Sequence, residues 1–275
     1  MDTVSTPYSV STLLAQFASP HTPLVIDVRR KPALDADTHL MAGAIWRDPF
    51  SVGDWAKFMP RHRKVVVYCV HGHEISKNAA EALRGAGVDA QYLDGGIEAW
   101  RAAGGGVCKK SSTPTIPSAS NAPSVWVTRE RPKIDRIACP WLIRRFIDPL
   151  AEFIYVPANE VLAYAAAHQA TAYDVPGVTF THRGDACSFD ALIADFDLHD
   201  NALAKLATIV RGADTGKPEL TPESPGLLAI SLGLSQLYPN DHDMLAHGLT
   251  VYDALYAWLA KGLGEKHNAD LFKKS

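Results

Sequence analysis

A chain of 275 residues with 47% hydrophobic and 21% charged side chains has room for two domains and the make-up of a soluble globular protein. Its formal charge of -3 gives no general attraction to nucleic acid or to an anionic membrane, and no apolar run approaches a membrane span, so neither partner is expected. Met1-Asp2-Thr3-Val4-Ser5 lacks the basic and apolar regions of a secretory signal, and Cys69, Cys108, Cys139 and Cys187 have no paired spacing, so a reducing cytoplasm is the expected compartment.

In chain order, Ser11 to Ala18 reads as a short helix and Leu24-Val25-Ile26-Asp27-Val28 as a buried strand running into Arg29-Arg30. An aspartate inside an apolar strand needs a hydrogen bond or a counter-charge, so Arg29 or neighbouring loop amides are the expected partners of Asp27, unless it marks the strand's wet end. After His39 to Ile45 and the segment Trp55 to Met59 comes Val65-Val66-Val67-Tyr68, which reads as a strand buried on both faces. Helical spacing returns at Ile75, Ala79, Ala82, Leu83 and Ala86 and ends at Gly85 and Gly87. Ala90 to Leu93 is a short strand, and Asp94-Gly95-Gly96 turns into a helix carrying Ile97 and Trp100.

Strands alternating with helices imply an α/β parallel sheet with helices on both faces, in which ligands gather at the carboxyl ends of strands. Cys69 lies at such an end, where loop amides and a helix start favour negative charge and turn a thiol into a nucleophile. Its bland role would be a small buried hydrophobe. Gly72, His71 and His73, with no bulky apolar residue between Val70 and Ile75, favour the nucleophile.

The order Asp27-Val28-Arg29, His39 through Ala44, the Cys69 loop, and Leu93-Asp94-Gly95-Gly96 with Trp100 resembles a rhodanese domain over residues 8–105. The resemblance implies that Cys69 takes a sulfane sulfur as a persulfide and passes it to a thiol or cyanide acceptor, with no cofactor. The loop Val70, His71, Gly72, His73, Glu74, Ile75 and Ser76 would hold the small-molecule donor, supported by Asp27 and Arg29. Thiosulfate-using rhodaneses often carry C-x-x-G-x-R-[ST]. Here Glu74 stands at the arginine position and the hydroxyl residue comes one place later, at Ser76, so a carboxylate opposes a dianionic donor. Protonated His71 and His73 would offset it. Phosphate-cleaving relatives need an arginine where this chain has Ile75, which disfavours phosphatase chemistry.

Gly104-Gly105-Gly106 and the Ser, Thr and Pro that follow read as a linker, residues 106–123, with Cys108 an incidental exposed thiol at its start. Beyond it, residues 124–275 read as an α-rich α+β domain. Val125 to Val127 is a strand, and Pro140 in the first turn of a helix puts Cys139 near its N-cap. Arg129 to Arg145 holds six basic and two acidic side chains, a charged helix face or an anion site. Glu152 to Val156 is a strand, Asn159 to His168 a helix, and Val178 to Arg183 another strand. Cys139, His182 and Cys187 are candidate ligands for a metal. From Asp200 the chain is helical, with apolar stripes at Leu203, Leu206, Ala207 and Val210 and at Leu245, Leu249, Tyr252, Tyr256 and Leu259.

Trp126 to Arg129, Ile134 through Phe146, Cys187-Ser188-Phe189 and Tyr252 to Tyr256 resemble the C-terminal domain of the chromate-resistance B family, over residues 124–262. This implies a link to an oxyanion such as chromate, with Asp135, Arg136, Cys139, Arg144 and Cys187 as candidate polar-site residues. The expectation is a cytoplasmic sulfurtransferase fused to a domain that handles an oxyanion or a metal. The alternative is a non-catalytic oxyanion or redox sensor.

Overall fold

The computed structural model describes residues 6–110, 123–262 and 264. Two parallel sheets each organise one half of the chain. In the first half, α1 (Val10–Gln16) precedes β1 (Leu24–Asp27), and α2 (Lys31–Ala36) leads to β2 (His39–Met41) and β3 (Ala44–Trp46). Then come α3 (Val52–Trp55), β4 (Val65–Tyr68), α4 (Glu74–Gly85), β5 (Ala90–Tyr92) and α5 (Gly96–Ala102). The strands align β3-β1-β4-β5, all parallel, so chain order reverses direction beside β1. The crevice between β1 and β4 is the place where such a sheet opens to a ligand.

The all-apolar strands bury both faces. Leu24, Ile26, Val65 and Val67 pack toward α3 and α4 with Trp55 and Leu83, whereas Val25, Val66 and Tyr68 pack toward α1 and α5 with Leu13 and Trp100. This is the period-two alternation of a strand read on both sides.

The last strand of the first half, β6 (Val107–Lys109), pairs antiparallel with β2. The chain expected to be linker from residue 106 thus starts as sheet, and Cys108, expected to be exposed, is 6% exposed in it. The rest of the expected linker, residues 111–122, lies outside the described residues.

The second half runs β7 (Val125–Arg129), α6 (Asp135–Leu142) with a π-helical turn Ile143–Ile147, β8 (Glu152–Val156), α7 (Val161–His168) and β9 (Thr171–Ala172). Among the described residues four α-helices follow: α8 (Ser188–Asp195), α9 (Asn201–Asp214), α10 (Ser224–Leu237) and α11 (Asp241–Ala257). The sheet order β8-β7-β9, again parallel, makes a second direction change at β7. Val127 faces α7, and Trp126 faces the large core built from α6, α8, α9 and α11. The stripes at Leu203 to Val210 and at Leu245 to Leu259 lie in that core, as their spacing predicts.

Two expectations fail here. Val178 to Arg183 makes two isolated bridges, Phe180 with Tyr173 and Arg183 with Ala186, rather than a strand, because its neighbour β9 is two residues long and gives it nothing to extend along. Helix α6 begins at Asp135, so Pro140 is its sixth residue and Cys139 lies mid-helix, fully buried. A mid-helix proline leaves the carbonyl four residues earlier without its usual donor. The hydroxyl of Tyr155 on β8 donates to that carbonyl, Arg136 O, at 3.3 Å.

The halves touch directly. Lys109 N donates to Phe196 O at 2.9 Å and Gly43 N to Phe146 O at 2.7 Å, and Ala18, Ala42 and Cys108 enter the core of the second half. Among the described residues no helix is long and apolar enough to cross a membrane.

Candidate functional site

Cys69 follows the last residue of β4, and the loop of residues 70–73 carries the chain into α4. The turn is tight because glycines permit it. Gly72 has φ +71°, and a Cβ there would fall 2.6 Å from Leu93 O. Gly96 has φ +61°, and its Cβ would fall 2.4 Å from Cys69 O. The start of α5 clamps the loop from below, Ile97 N donating to Cys69 O at 3.0 Å and Glu98 N to Val70 O at 3.2 Å.

Cys69 is 7% exposed, and the segment that follows it carries the exposed His71, His73 and Glu74. The two imidazoles lie 5.7 Å apart, centroid to centroid. Val70 and Ile75 are half-buried, and Gly72 is buried. Ser76, fully buried in the first turn of α4, sets its Oγ 3.3 Å from Cys69 Sγ and 3.0 Å from His73 O. A sulfur at a strand end, facing the amino end of a 12-residue helix, is placed where anionic charge is stabilised.

Asp27 and Arg29 form the expected pair, both buried. Arg29 N donates to Asp27 Oδ1 at 2.9 Å, and Arg29 Nε reaches Oδ1 at 3.1 Å and Oδ2 at 2.8 Å. Burial raises the Asp27 carboxyl above its ordinary value, and the guanidinium works against that shift. Arg29 Nη1 then contacts Asp37 Oδ2 at 2.6 Å, which also accepts from Arg101 Nη2 at 2.7 Å. This chain of charges ties β1 to α5, which holds the Cys69 loop. Asp37 and Arg101 escape a sequence reading because each looks like an ordinary surface charge.

In the second half, the carboxyl edge of β7 and β9 gathers a different set. His182 Nε2 stands 3.1 Å from Asp214 Oδ2, 3.5 Å from Asp135 Oδ2 and 3.5 Å from Asp174 Oδ1. Ser188 donates from N to Asp135 Oδ2 at 2.6 Å and from Oγ to Asp174 Oδ1 at 2.8 Å. Arg129 and Arg136 flank Asp174 at 3.1 and 3.4 Å. Hydrogen bonding to Asp135 raises His182 to about 9, and burial raises Asp214 to about 7. Burial also raises Asp135.

The candidate residues of this half therefore separate. The expected ligand trio Cys139, His182 and Cys187 does not converge. Among the described residues, the histidine, cysteine and carboxylate ligand atoms within 4.8 Å of one another belong to Asp135, His182 and Asp214. Cys139 and Cys187 are fully buried, and burial pushes both thiols up, so Cys139, expected near a helix start, is not an activated thiol. Arg136 donates to Arg129 O and Glu130 O, while Arg144 lies over the Phe153 ring and donates to Ala151 O. Their charges are used by the backbone and by Asp174, and the expected anion site around Cys139 does not form. Asp174 carries the same signal as Asp27, an aspartate at the end of an apolar strand. Asp214 gives no signal, lying at the far end of a distant helix.

Comparison with known proteins follows the same division. Residues 9–103 match the model of the rhodanese-like domain, and residues 126–259 that of ChrB, C-terminal domain. Protein ChrB of Cupriavidus metallidurans is 39% identical over 132 residues, a match that covers 48% of this chain and 39% of that relative's length. A rhodanese-related protein of Thermoplasma volcanium is 26% identical with TM-score 0.32, covering 37% of this chain and 95% of that one. The BH2092 protein of Bacillus halodurans is 23% identical with TM-score 0.34, covering 38% of this chain and 77% of that one.

Proposed function

We propose that this chain, a rhodanese-like domain joined to a ChrB C-terminal domain, is a sulfurtransferase that carries sulfane sulfur on Cys69. The observation that carries the reading is the Cys69 sulfur at the end of β4, 3.3 Å from the Ser76 hydroxyl and facing the start of α4. The thiolate attacks the outer sulfur of a donor. A sulfur–sulfur bond forms to Cys69, the donor's own bond to that sulfur breaks, and the leaving group departs with the electron pair. A thiol or cyanide acceptor then attacks the outer sulfur and the Cys69 thiolate leaves, so sulfur moves without net oxidation or reduction of the protein.

Exposed Glu74 at the first position of α4 disfavours a dianion, so a donor with less charge than thiosulfate fits this segment better. The match to the ChrB C-terminal domain supports a reading in which this activity serves chromate resistance, in a cell compartment where thiols stay reduced. An oxyanion such as chromate enters this reading as the challenge the pathway answers.

Mass spectrometry of the full chain after incubation with sulfane donors tests the proposal. One added sulfur on Cys69, absent in Cys69→Ser and removed by a thiol acceptor, is the expected result. No adduct with any donor tried overturns it and leaves the fold as a binding module.

A further inference from the structure

We propose that the ChrB domain holds a divalent transition-metal cation between the carboxylates of Asp135 and Asp214 and the imidazole of His182. The inference does not depend on sulfur transfer at Cys69. A tetrahedral cation with bonds of about 2.1 Å sets its ligand atoms roughly 3.4 Å apart. His182 Nε2 lies 3.1 Å from Asp214 Oδ2 and 3.5 Å from Asp135 Oδ2, both close to that spacing, and one ligand atom from each of the three residues lies within 4.8 Å of the others.

A second observation is independent of the spacing. Asp135 is 1% exposed, and its Oδ1 is enclosed with no hydrogen-bond partner. A buried carboxylate oxygen left without a donor is costly, and a cation bound to that carboxylate supplies what is missing. The hydroxyl of Thr128, at the carboxyl end of β7 on the same strand face as Trp126, is also buried and unpartnered. Both orphans lie toward the edge where the sheet reverses direction, the position at which α/β sheets receive ligands.

The neighbouring charges are divided in a way that suits a cation. Asp174 is neutralised by Arg129 and Arg136 and held by Ser188, whereas Asp135 and Asp214 face His182 as their charged partner. Asp174 Oδ1, 3.5 Å from His182 Nε2 and held by Ser188, is placed to orient the imidazole. A nitrogen ligand beside carboxylates selects zinc, manganese or iron(II) over magnesium and calcium, which prefer oxygen alone. His182, 43% exposed, leaves the site open to solvent for entry.

The test uses the full chain, stripped with chelator and titrated separately with Zn²⁺ and Mn²⁺ by calorimetry, with elemental analysis for stoichiometry. One equivalent per chain is expected. His182→Gln and Asp214→Asn, each checked for native circular dichroism, should weaken binding on the order of 100-fold. A His71→Ala/His73→Ala variant, which removes the histidines on the other domain, should bind as the parent does. His182→Gln keeps the test decisive if the more buried Asp214 variant fails to fold. Absence of stoichiometric binding of both ions, undiminished binding in His182→Gln, or loss in the His71/His73 variant instead overturns the proposal.

Discussion

Ser76 Oγ lies 3.3 Å from Cys69 Sγ and 3.0 Å from the His73 carbonyl, so a single hydroxyl proton has two acceptors. With Cys69 as a thiol the hydroxyl donates to the carbonyl and accepts from sulfur; with a thiolate or persulfide it turns to the sulfur. Ser76→Ala removes that donor and keeps the helix. Sulfur transfer should slow by about tenfold, the value of one hydrogen bond to a charged group at about 1.4 kcal/mol. Single-turnover rates on the preformed persulfide are the check, and an unchanged rate removes Ser76 from the site.

Gly96→Ala should damage the loop without touching a reactive atom. The added Cβ meets Cys69 O at 2.4 Å, Val70 O at 2.5 Å and Gly72 N at 2.7 Å, at a φ of +61°. The expected loss is about 2 kcal/mol or more, with transfer falling in parallel. Thermal unfolding monitored beside activity reads both, and full stability would contradict the clamp described for α5.

Glu74→Arg should improve turnover of thiosulfate several-fold while leaving neutral donors nearly unaffected. The gain comes from the charge of the dianion and should shrink as salt rises, since an exposed pair is screened within about 10 Å at 0.1 M. The new cation at the amino end of α4 costs about 0.5 kcal/mol of helix stability. A gain independent of salt would argue against an electrostatic cause.

The Asp37 carboxyl predicts an acid limb of stability. Burial pushes it up, but the His39 amide and the guanidiniums of Arg101 and Arg29 bring it below its ordinary 3.8. The unfolded chain therefore binds this proton more readily than the folded one. The contribution is complete above about 3.8 and is lost as pH falls through the lower folded value. Asp37→Asn should lose about 2 kcal/mol at neutral pH and show a shallower loss on acidification. Urea melts between pH 3 and pH 7 give the comparison, with parallel curves for the two proteins as the contrary result.

Cys139 should resist alkylation in the native protein and react only with unfolding. It is fully buried, and burial raises its thiol well above the ordinary range. The alkylation rate should follow the unfolded fraction across a denaturant series. Rapid labelling in buffer would restore it as a reactive group.

The first sheet and its cysteine were legible because local signals agree with tertiary ones. Val65 to Tyr68 is apolar throughout and buried on both faces, Gly72 permits the turn, and Asp27 beside Arg29 announces its own partner. The start of α6 was not legible. Pro140 suggests a first turn, and only Tyr155, from a strand elsewhere in the chain, supplies the donor that lets the proline sit mid-helix. The cluster around His182 was out of reach for the same reason. Its carboxylates come from the start of α6, the end of β9 and the end of α9, and no spacing along the chain connects them.

The shared apolar layer between the halves bears on how such a chain can be rebuilt. Phe17 packs edge-on against both Trp100 of its own half and Phe146 of the other, at 5.4 Å each, while Cys108 is walled in by the second core. Each half thus supplies part of its neighbour's interior. Grafting a foreign first half onto this second half would expose that interior unless the graft brought matching residues at Phe17, Ala18, Ala42 and Cys108.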